Sequence, residues 1–538
     1  MNFSGPASNR PTNMAHSFSR VPTINIERSK FDRSHSVKTT FDANYLIPIL
    51  VDEIQPGDTL NCRLSAFVRM TTPIKPIMDN LYLDTFFFYI PNRLLWTNWE
   101  KFCGAQTDPG DSISFTVPTI PMAAGGPEVG TLADYFGIPT DQTNGFSVAA
   151  FHFRGYNLVY NTFFRDQNLQ DSLVVDVDDG PDTYADYVLK KRGKRHDYFT
   201  SALPWPQKGD AVTLGLSDAA PVVLVPHTES TNLPSWKGYA DGTTKTGGSH
   251  IAAKDGTVKE VDGDVAVVYD PNGRLEANLS NVAAFTVNAL REAFQTQVLL
   301  ERDARGGTRY IEILASQFGV KSPDFRLQRP EYLGGGSTLI NVHPVPQTSP
   351  TSGSNPQGQL AAFGTASVNG HGFNKSFVEH GIIIGLANVR ADLTYSQGLG
   401  RMWSRSTRYD YPWPAFNHLG EQAVLNKEIY NDLADGTAAN QRSGVFGYQE
   451  RYAEYRYKPS MITGLFRPAY SAPLDTWHVS QEFSAQPTLN AAFIEEDTPV
   501  DRVVAVPSEP HFFMDAFFTY IHARPLPVFA VPGFGDRL

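Results

Sequence analysis

Alternation of apolar and polar positions is the dominant pattern along the chain. Over residues 60–70, Leu60, Cys62, Leu64, Ala66, Val68 and Met70 alternate with Asn61, Arg63, Ser65 and Arg69. A period of two predicts a strand with one face buried and one face wet; Phe67 is the exception. Residues 511–522 repeat the pattern, with Phe512, Met514, Ala516, Phe518 and Tyr520 on one side. In 81–90 (LYLDTFFFYI) both sides are apolar, as expected of a central strand covered by a layer on each face. Strand patterns also run through 375–389 and 478–483. Helical spacing is rarer. Residues 91–102 place Leu95, Trp99 and Phe102 on one side behind Asn92 as a cap, and 281–302 repeats Phe285, Ala289, Leu290, Ala293, Phe294 and Val298 before Gly306-Gly307. Both predict helices. Strands so far apart in sequence must pair across long connections, which compact domains keep when those connections have a function. No solenoid or propeller repeat is visible.

The pattern divides the chain. Residues 1–40 carry Arg10, Arg20, Arg28, Lys30, Arg33 and Lys38 against Glu27 and Asp32, with few core-forming residues, and read as an extended, mildly basic arm. Residues 41–216 and 277–538 hold the strand patterns and read as two parts of one core with long loops. Between them, 217–276 turns to Thr, Ser, Gly, Asp and Ala and reads as a surface insertion. Inside it, VAVVY at 265–269 followed by Asp270-Pro271-Asn272-Gly273 predicts a small hairpin. A second polar stretch, 345–359, predicts an exposed loop.

Composition sharpens this reading. Of 538 residues, 41% are hydrophobic and 19% charged, which suits a large core and excludes a disordered polyelectrolyte. The 35 Phe and 23 Tyr, beside 43 Gly and 38 Pro, favour a β-rich fold with many turns. The formal charge of -11 means that any contact with nucleic acid must come from a local basic face. Two cysteines, Cys62 and Cys103, supply neither a disulfide framework nor a zinc spacing, so a reducing compartment is expected. The polar first twenty residues lack a secretory pattern, and no apolar run approaches the roughly 20 residues of a membrane helix. A soluble chain without membrane insertion is expected.

Catalytic motifs are missing from the sequence. Gly334-Gly335-Gly336-Ser337-Thr338 lacks the lysine of a phosphate loop and reads as a turn. The run Asp171, Asp176, Asp178, Asp179, Asp182 departs from EF-hand spacing and reads as a solvated acidic loop in preference to a calcium site. Basic clusters say more. Lys190, Lys191, Arg192, Lys194 and Arg195 concentrate charge that either meets DNA phosphate or closes an ion-pair network. Arg401, Trp403, Arg405, Arg408, Tyr409, Tyr411 and Trp413 interleave cations with rings, as a protein does to stack unpaired bases or to pack against another subunit. In 448–458, Tyr448, Arg451, Tyr452, Tyr455, Arg456 and Tyr457 read as an interface or a cross-strand ladder.

Six segments together resemble one family: 31–40 (FDRSHSVKTT), 82–98 (YLDTFFFYIPNRLLWTN), 300–313 (LERDARGGTRYIEI), 327–336 (LQRPEYLGGG), 385–401 (GLANVRADLTYSQGLGR) and 446–460 (FGYQERYAEYRYKPS). They are similar to the major capsid proteins of small icosahedral single-stranded DNA bacteriophages, the microviruses, and within these to the gokushovirus branch. The resemblance implies a mainly β fold, an eight-stranded antiparallel jelly roll of the viral capsid type with long loop insertions and a few helices. It implies a T=1 shell of many copies around circular single-stranded DNA, assembled in the bacterial host cytoplasm. It places 217–276 at the three-fold axes as a protrusion, with Trp236, Tyr239 and Asn272 as residues facing a host surface receptor. The arm is too mildly basic to neutralise a genome, so a small basic DNA-packaging protein is implied beside the other virion proteins. DNA contacts are expected from Arg28, Lys30, Arg33, the 190–195 cluster, Arg401, Arg405 and Arg408; subunit contacts from Trp403, Tyr411, Trp413 and the 448–457 set. No cofactor, metal or catalytic residue is expected. Two rivals remain: a carbohydrate-active enzyme, with two carboxylates about 5 to 10 Å apart, and a trimeric receptor-binding protein.

Overall fold

The alternating segments become the walls of a sandwich. A computed structural model describes residues 28–212, 287–307, 312–313, 316–317, 326–353 and 356–529, with short strands at 222–224, 236–238, 244–245, 251–254, 257–260, 267–269 and 275–277. The core strands are β1 (Ser29–Asp32), β2 (His35–Phe41), β3 (Ile47–Ile54), β4 (Thr59–Met70), β5 (Leu81–Pro91), β6 (Glu331–Pro346), β7 (Leu360–Ser376), β8 (Gly381–Ala391) and β9 (Phe512–Arg524). They pair antiparallel in the order β1–β9–β4–β7–β6–β5–β8–β3, and β2 shares the β9 edge with β1. Taking β1 and β2 as one position gives eight strands. β6 meets β7 only along Asn341 to Pro346; beyond that, β7 pairs with β4 and β6 with β5. The sheet therefore folds over into two four-stranded walls, β1/β2–β9–β4–β7 and β6–β5–β8–β3, the jelly-roll arrangement.

Which face each wall buries explains its sequence. Leu60, Leu64 and Val68 of β4, Phe512, Met514 and Phe518 of β9, Leu83 and Phe87 of β5, and Ile383 and Val389 of β8 fill the space between the walls. The second wall is covered on its other side too: Phe88 and Ile90 of β5 and Ile382, Ile384 and Leu386 of β8 pack with Trp96 and with helix α1 (Phe151–Val159). That double burial is why β5 and β8 do not alternate. Among the described residues the first wall has no such second layer, so β4 and β9 do.

Several expectations change. The helix at 91–102 is instead a 3-10 turn at Asn92–Leu94 and one α-turn at Trp99–Phe102. Between them Thr97 N donates to Val177 O (2.8 Å) and Trp96 Nε1 to Asp179 (2.6 Å), and these bonds interrupt the helical run. The 375–389 strand is two strands, parted where Phe377 turns into the core. Residues 478–483 form no strand; Arg502 Nη2 clamps the carbonyls of His478 and Ser480 (3.0 Å each), leaving an isolated parallel bridge from Gln481 to Tyr395. The three glycines 334–336 lie within β6 instead of a turn. A Cβ on Gly334 would stand 2.5 Å from the carbonyl oxygen of Gly372 in β7, and one on Gly335 2.0 Å from that of Thr85, so close backbone approach selects glycine here. The acidic run is an exposed loop at Asp171, Asp178 and Asp179 and half-buried at Asp176, but its last member leaves solvent. Asp182 is buried, accepts both Arg154 Nε (2.7 Å) and Nη2 (2.5 Å), and takes the Tyr187 hydroxyl (2.6 Å).

The chain forms two compact units, Met1–Pro206 with Ser322–Leu538, and Gln207–Lys321. Within the second, helix α2 (Val287–Gly306) ends where Gly307 takes a positive φ of 96°. Val267–Tyr269 does not form the expected hairpin across 270–273. It pairs with Trp236–Gly238, while Leu275–Ala277 pairs with Val222–Leu224, so consecutive strands serve different partners. Tyr239 and Asn272 lie outside the described residues, as does the side chain of Trp236.

Candidate assembly and nucleic-acid surfaces

The 190–195 segment runs as an extended thread between the lead-in to β3 and residues 493–496. Leu46 N donates to Lys190 O (2.9 Å), Arg192 N to Asn44 O (2.8 Å) and Lys194 N to Ile494 O (2.7 Å). An extended chain points alternate side chains opposite ways, and here one set goes inward. Arg192 reaches Asp84 of β5 at 2.5 Å, and Arg390 of β8 holds the same carboxylate at 2.8 Å. Burial alone would raise the Asp84 pKa, but hydrogen bonds from Ser337, Arg390 and Arg192 outweigh it and hold the carboxyl below its ordinary value. Lys194 is 7% exposed; its Nζ donates to Phe493 O (2.6 Å) and sits 4.4 Å above that ring. Burial pushes this amine down to about 8. Lys191 bonds Asp497 at 2.8 Å. Lys190 is half-buried and Arg195 exposed, and among the described residues neither side chain makes an ion pair. On the arm, Arg28 donates to Thr59 Oγ1 (2.6 Å), Lys30 is exposed, and Arg33 forks onto Asp52 (2.6 and 3.0 Å).

The second cluster is assembled from loops far apart in sequence. Strands Glu421–Leu425 and Val445–Glu450 pair, with Tyr448 opposite Ala423, and present the 451–457 turn beside 401–413. Arg401 bonds Glu428 at 3.0 Å, and Arg405 bonds Glu454 at 3.2 Å. The Arg405 guanidinium lies 5.3 Å from the Tyr411 ring and 4.3 Å from that of Tyr455, whose hydroxyl it also meets. Arg456 pairs with Glu450, and Arg451 covers the buried Tyr452 ring at 4.9 Å. Arg408 is exposed, 5.2 Å over Trp413, whose indole N–H bonds the Arg408 carbonyl (2.8 Å). With the arginines so engaged, rings face outward: Trp403 is 71% exposed, and Tyr409, Tyr411, Trp413, Tyr455 and Tyr457 are exposed with Met402 and Met461. A cleft of about 450 Å³ opens among them. Glu428 lies along it, its carboxyl pushed up by burial despite Arg401 and the Tyr198 hydroxyl at 3.0 Å.

Sequence reading missed the carboxylates Asp84, Glu428 and Glu454 that occupy these cations, because nothing local marks them as partners. It also passed over the wet face of the first wall. Phe67, Phe513 and Phe517 project there, 43%, 40% and 48% exposed; the signal was the break at Phe67 in an otherwise clean alternation. Among the described residues no group of three His, Cys, Asp or Glu side chains is placed to hold a metal, and no helix is long and apolar enough to cross a membrane.

Comparison with known proteins agrees with this architecture. The family model described as capsid protein (F protein) matches residues 19–534. The chain is 49% identical over 524 residues to the capsid protein VP1 of Bdellovibrio phage phiMH2K, covering 96% of this chain and 97% of that one. It is 41% identical over 595 aligned positions to capsid protein VP1 of Chlamydia phage 1, covering 97% and 98%. With capsid protein VP1 of Spiroplasma virus 4 it shares 36% over 548 positions, covering 96% and 97%.

Proposed function

Because the chain belongs to the capsid protein (F protein) family, and so is a structural subunit of a microvirus-type virion shell, we propose that it closes a T=1 icosahedral container around circular single-stranded DNA. The observation that carries this reading is the 401–461 surface. Its Arg401, Arg405 and Arg456 are neutralised by Glu428, Glu454 and Glu450, while Trp403, Tyr411, Trp413 and Tyr457 stay exposed. Aromatic rings with satisfied arginine are what interface hot spots favour, and a free subunit gains nothing by leaving them in water. Contacts of standard size, roughly 1,600 Å² each, hold a closed shell through multivalency even where each is weak.

On the same reading the subunit has no catalytic role, assembles in the bacterial cytoplasm with a small basic packaging protein, and meets the host through 217–276. The DNA-facing cations of the 190–195 set are then Lys190 and Arg195, since Arg192 and Lys194 are turned inward. Negative-stain microscopy of the purified protein tests the container: closed isometric particles are expected, and monomers or elongated trimers would overturn it. Deleting 217–276 is expected to spare particles and abolish attachment to host cells; loss of soluble subunit would count against its role as an insertion.

A further inference from the structure

We propose that the outer face of the β1/β2–β9–β4–β7 wall binds single-stranded DNA by stacking, with bases against Phe67, Phe513 and Phe517 and phosphates on Lys38, Arg63 and Arg69; this rests on the capsid reading above and names the residues that hold the genome. The strand register sets these groups in rows. Across the wall, Lys38 stands opposite Asp515, Asp515 opposite Phe67, and Phe67 opposite Ser367. In the next row Thr40, Phe513, Arg69 and Thr365 face one another; on the other side come Ser36, Phe517, Ser65 and Asn369. Rings thus alternate with cations, hydroxyls, one amide and one carboxylate at the spacing of adjacent strands, about 4.8 Å. A backbone-tracking basic surface set with aromatic rings is what sequence-tolerant binding of single strands requires.

The charges choose the partner. Among the described residues the side chains of Lys38, Arg63 and Arg69 make no hydrogen bond or ion pair; that of Arg69 stacks on Phe67, at 5.3 Å. The carboxylates at hand are Asp515 and, on β1 opposite Ile521, Asp32, which accepts Ser34 N at 3.0 Å, with Asp134 on the neighbouring 129–137 loop, where it accepts Gly130 N at 2.8 Å. That loop and the wall enclose a groove of about 690 Å³ lined by Lys38, Phe67, Arg69, Val129, Tyr135 and Phe513, within the size range of ligand pockets. In a chain of net charge -11, uncompensated cations among phenylalanines fit a polyanion with flat apolar rings. A second copy of the protein would bring carboxylates and exposed rings of its own, and the particle yield of the variants below separates it from DNA.

The test uses the full chain and a fluorescent oligothymidylate. Phe67→Ala, Phe513→Ala and Phe517→Ala are each expected to weaken binding about tenfold, while the Tyr replacements retain it. Lys38→Gln, Arg63→Gln and Arg69→Gln together are expected to lower the slope of log affinity against log salt by about 2. Particles of these variants are expected to form with less DNA. Unchanged oligothymidylate affinity in the alanine variants, with particles still forming, would overturn the surface and leave the capsid reading standing. Loss of particles with unchanged affinity would also overturn it, by making the face a protein contact. Wild-type protein that forms no particles yet loses affinity on Phe→Ala would support the surface and break the container reading.

Discussion

In the loops at 401–457 most of the arginines sit against carboxylates, Arg401 on Glu428, Arg405 on Glu454 and Arg456 on Glu450, while Arg408 and Arg451 lie over the rings of Trp413 and Tyr452. On the outer face of the first wall, Lys38, Arg63 and Arg69 sit among phenylalanines, and among the described residues no carboxylate is bonded to them. Both regions mix rings with cations, and composition alone does not separate them. The difference lies in where the counter-charge is. A guanidinium already neutralised within the subunit presents a ring-rich, electrically quiet surface, which suits burial against another protein. One left open requires its counter-charge from outside, and phosphate supplies it. Within the 190–195 thread, Arg192 and Lys194 belong with the first kind, pointing at Asp84 and the Phe493 carbonyl.

The sharpest way to break this comparison is to remove an internal counter-charge. Asp84→Ala strips Arg192 and Arg390 of their shared partner and leaves two buried cations, and uncompensated buried charge costs about 3–5 kcal/mol. Denaturant unfolding is expected to register that loss. The wild-type contribution is pH-dependent in a fixed direction. The Asp84 pKa is lower folded than unfolded, so its stabilisation is full above the ordinary carboxylate range and drains away as pH falls through the folded value. A variant that unfolds like wild type would mean that the cations of the thread are as available as those of the wall.

Lys194 supplies the next effect. With its amine held near 8 by burial against about 10.4 when unfolded, the unfolded chain binds the extra proton between those values. Stability from this group therefore rises with pH across that window and stands at its lowest below it. Lys194→Met removes the titration, and unfolding measured from pH 7 to 10 is expected to lose a component of at most roughly 3 kcal/mol. An unaltered pH profile would place the amine in solvent after all, where it could meet DNA.

The walls were legible because burial on one side leaves a period of two, as in β4 and β9, and burial on both sides leaves none, as in β5. Helix α1 escaped for the same reason in reverse: FHFRGYNLV is covered all round, so no polar stripe marks its period. Gly334–336 misled because glycine serves turns and close strand approaches alike, and only the neighbouring strand decides which. The site was half legible. Residue types announced surfaces rich in Arg, Tyr and Phe, but the pairing that sorts them joins Asp84 to Arg192 and Arg401 to Glu428, across separations that carry no local signal.

Arg405 permits an intermediate test. Its guanidinium is held by Glu454 and by the rings of Tyr411 and Tyr455, and lysine keeps the charge while losing the planar fork. Arg405→Lys is expected to cost about 1–2 kcal/mol and to raise the protein concentration at which particles form, with DNA content per particle unchanged. A fall in DNA content with normal assembly would move Arg405 to the nucleic-acid group.

The smallest effect separates the two regions most cleanly. Asp515 is the carboxylate that β9 itself places on the open face, opposite Lys38 and Phe67. If Lys38 is reserved for phosphate, Asp515→Asn removes only a repulsive charge. Stability is then expected to stay within about 0.5 kcal/mol, while oligothymidylate binding tightens severalfold at low salt and the gain fades as salt screens it. If instead Asp515 holds Lys38 as Glu454 holds Arg405, the same substitution destabilises the subunit and leaves binding flat. The two regions would then be of one kind, and the open face would have to be read as a protein contact.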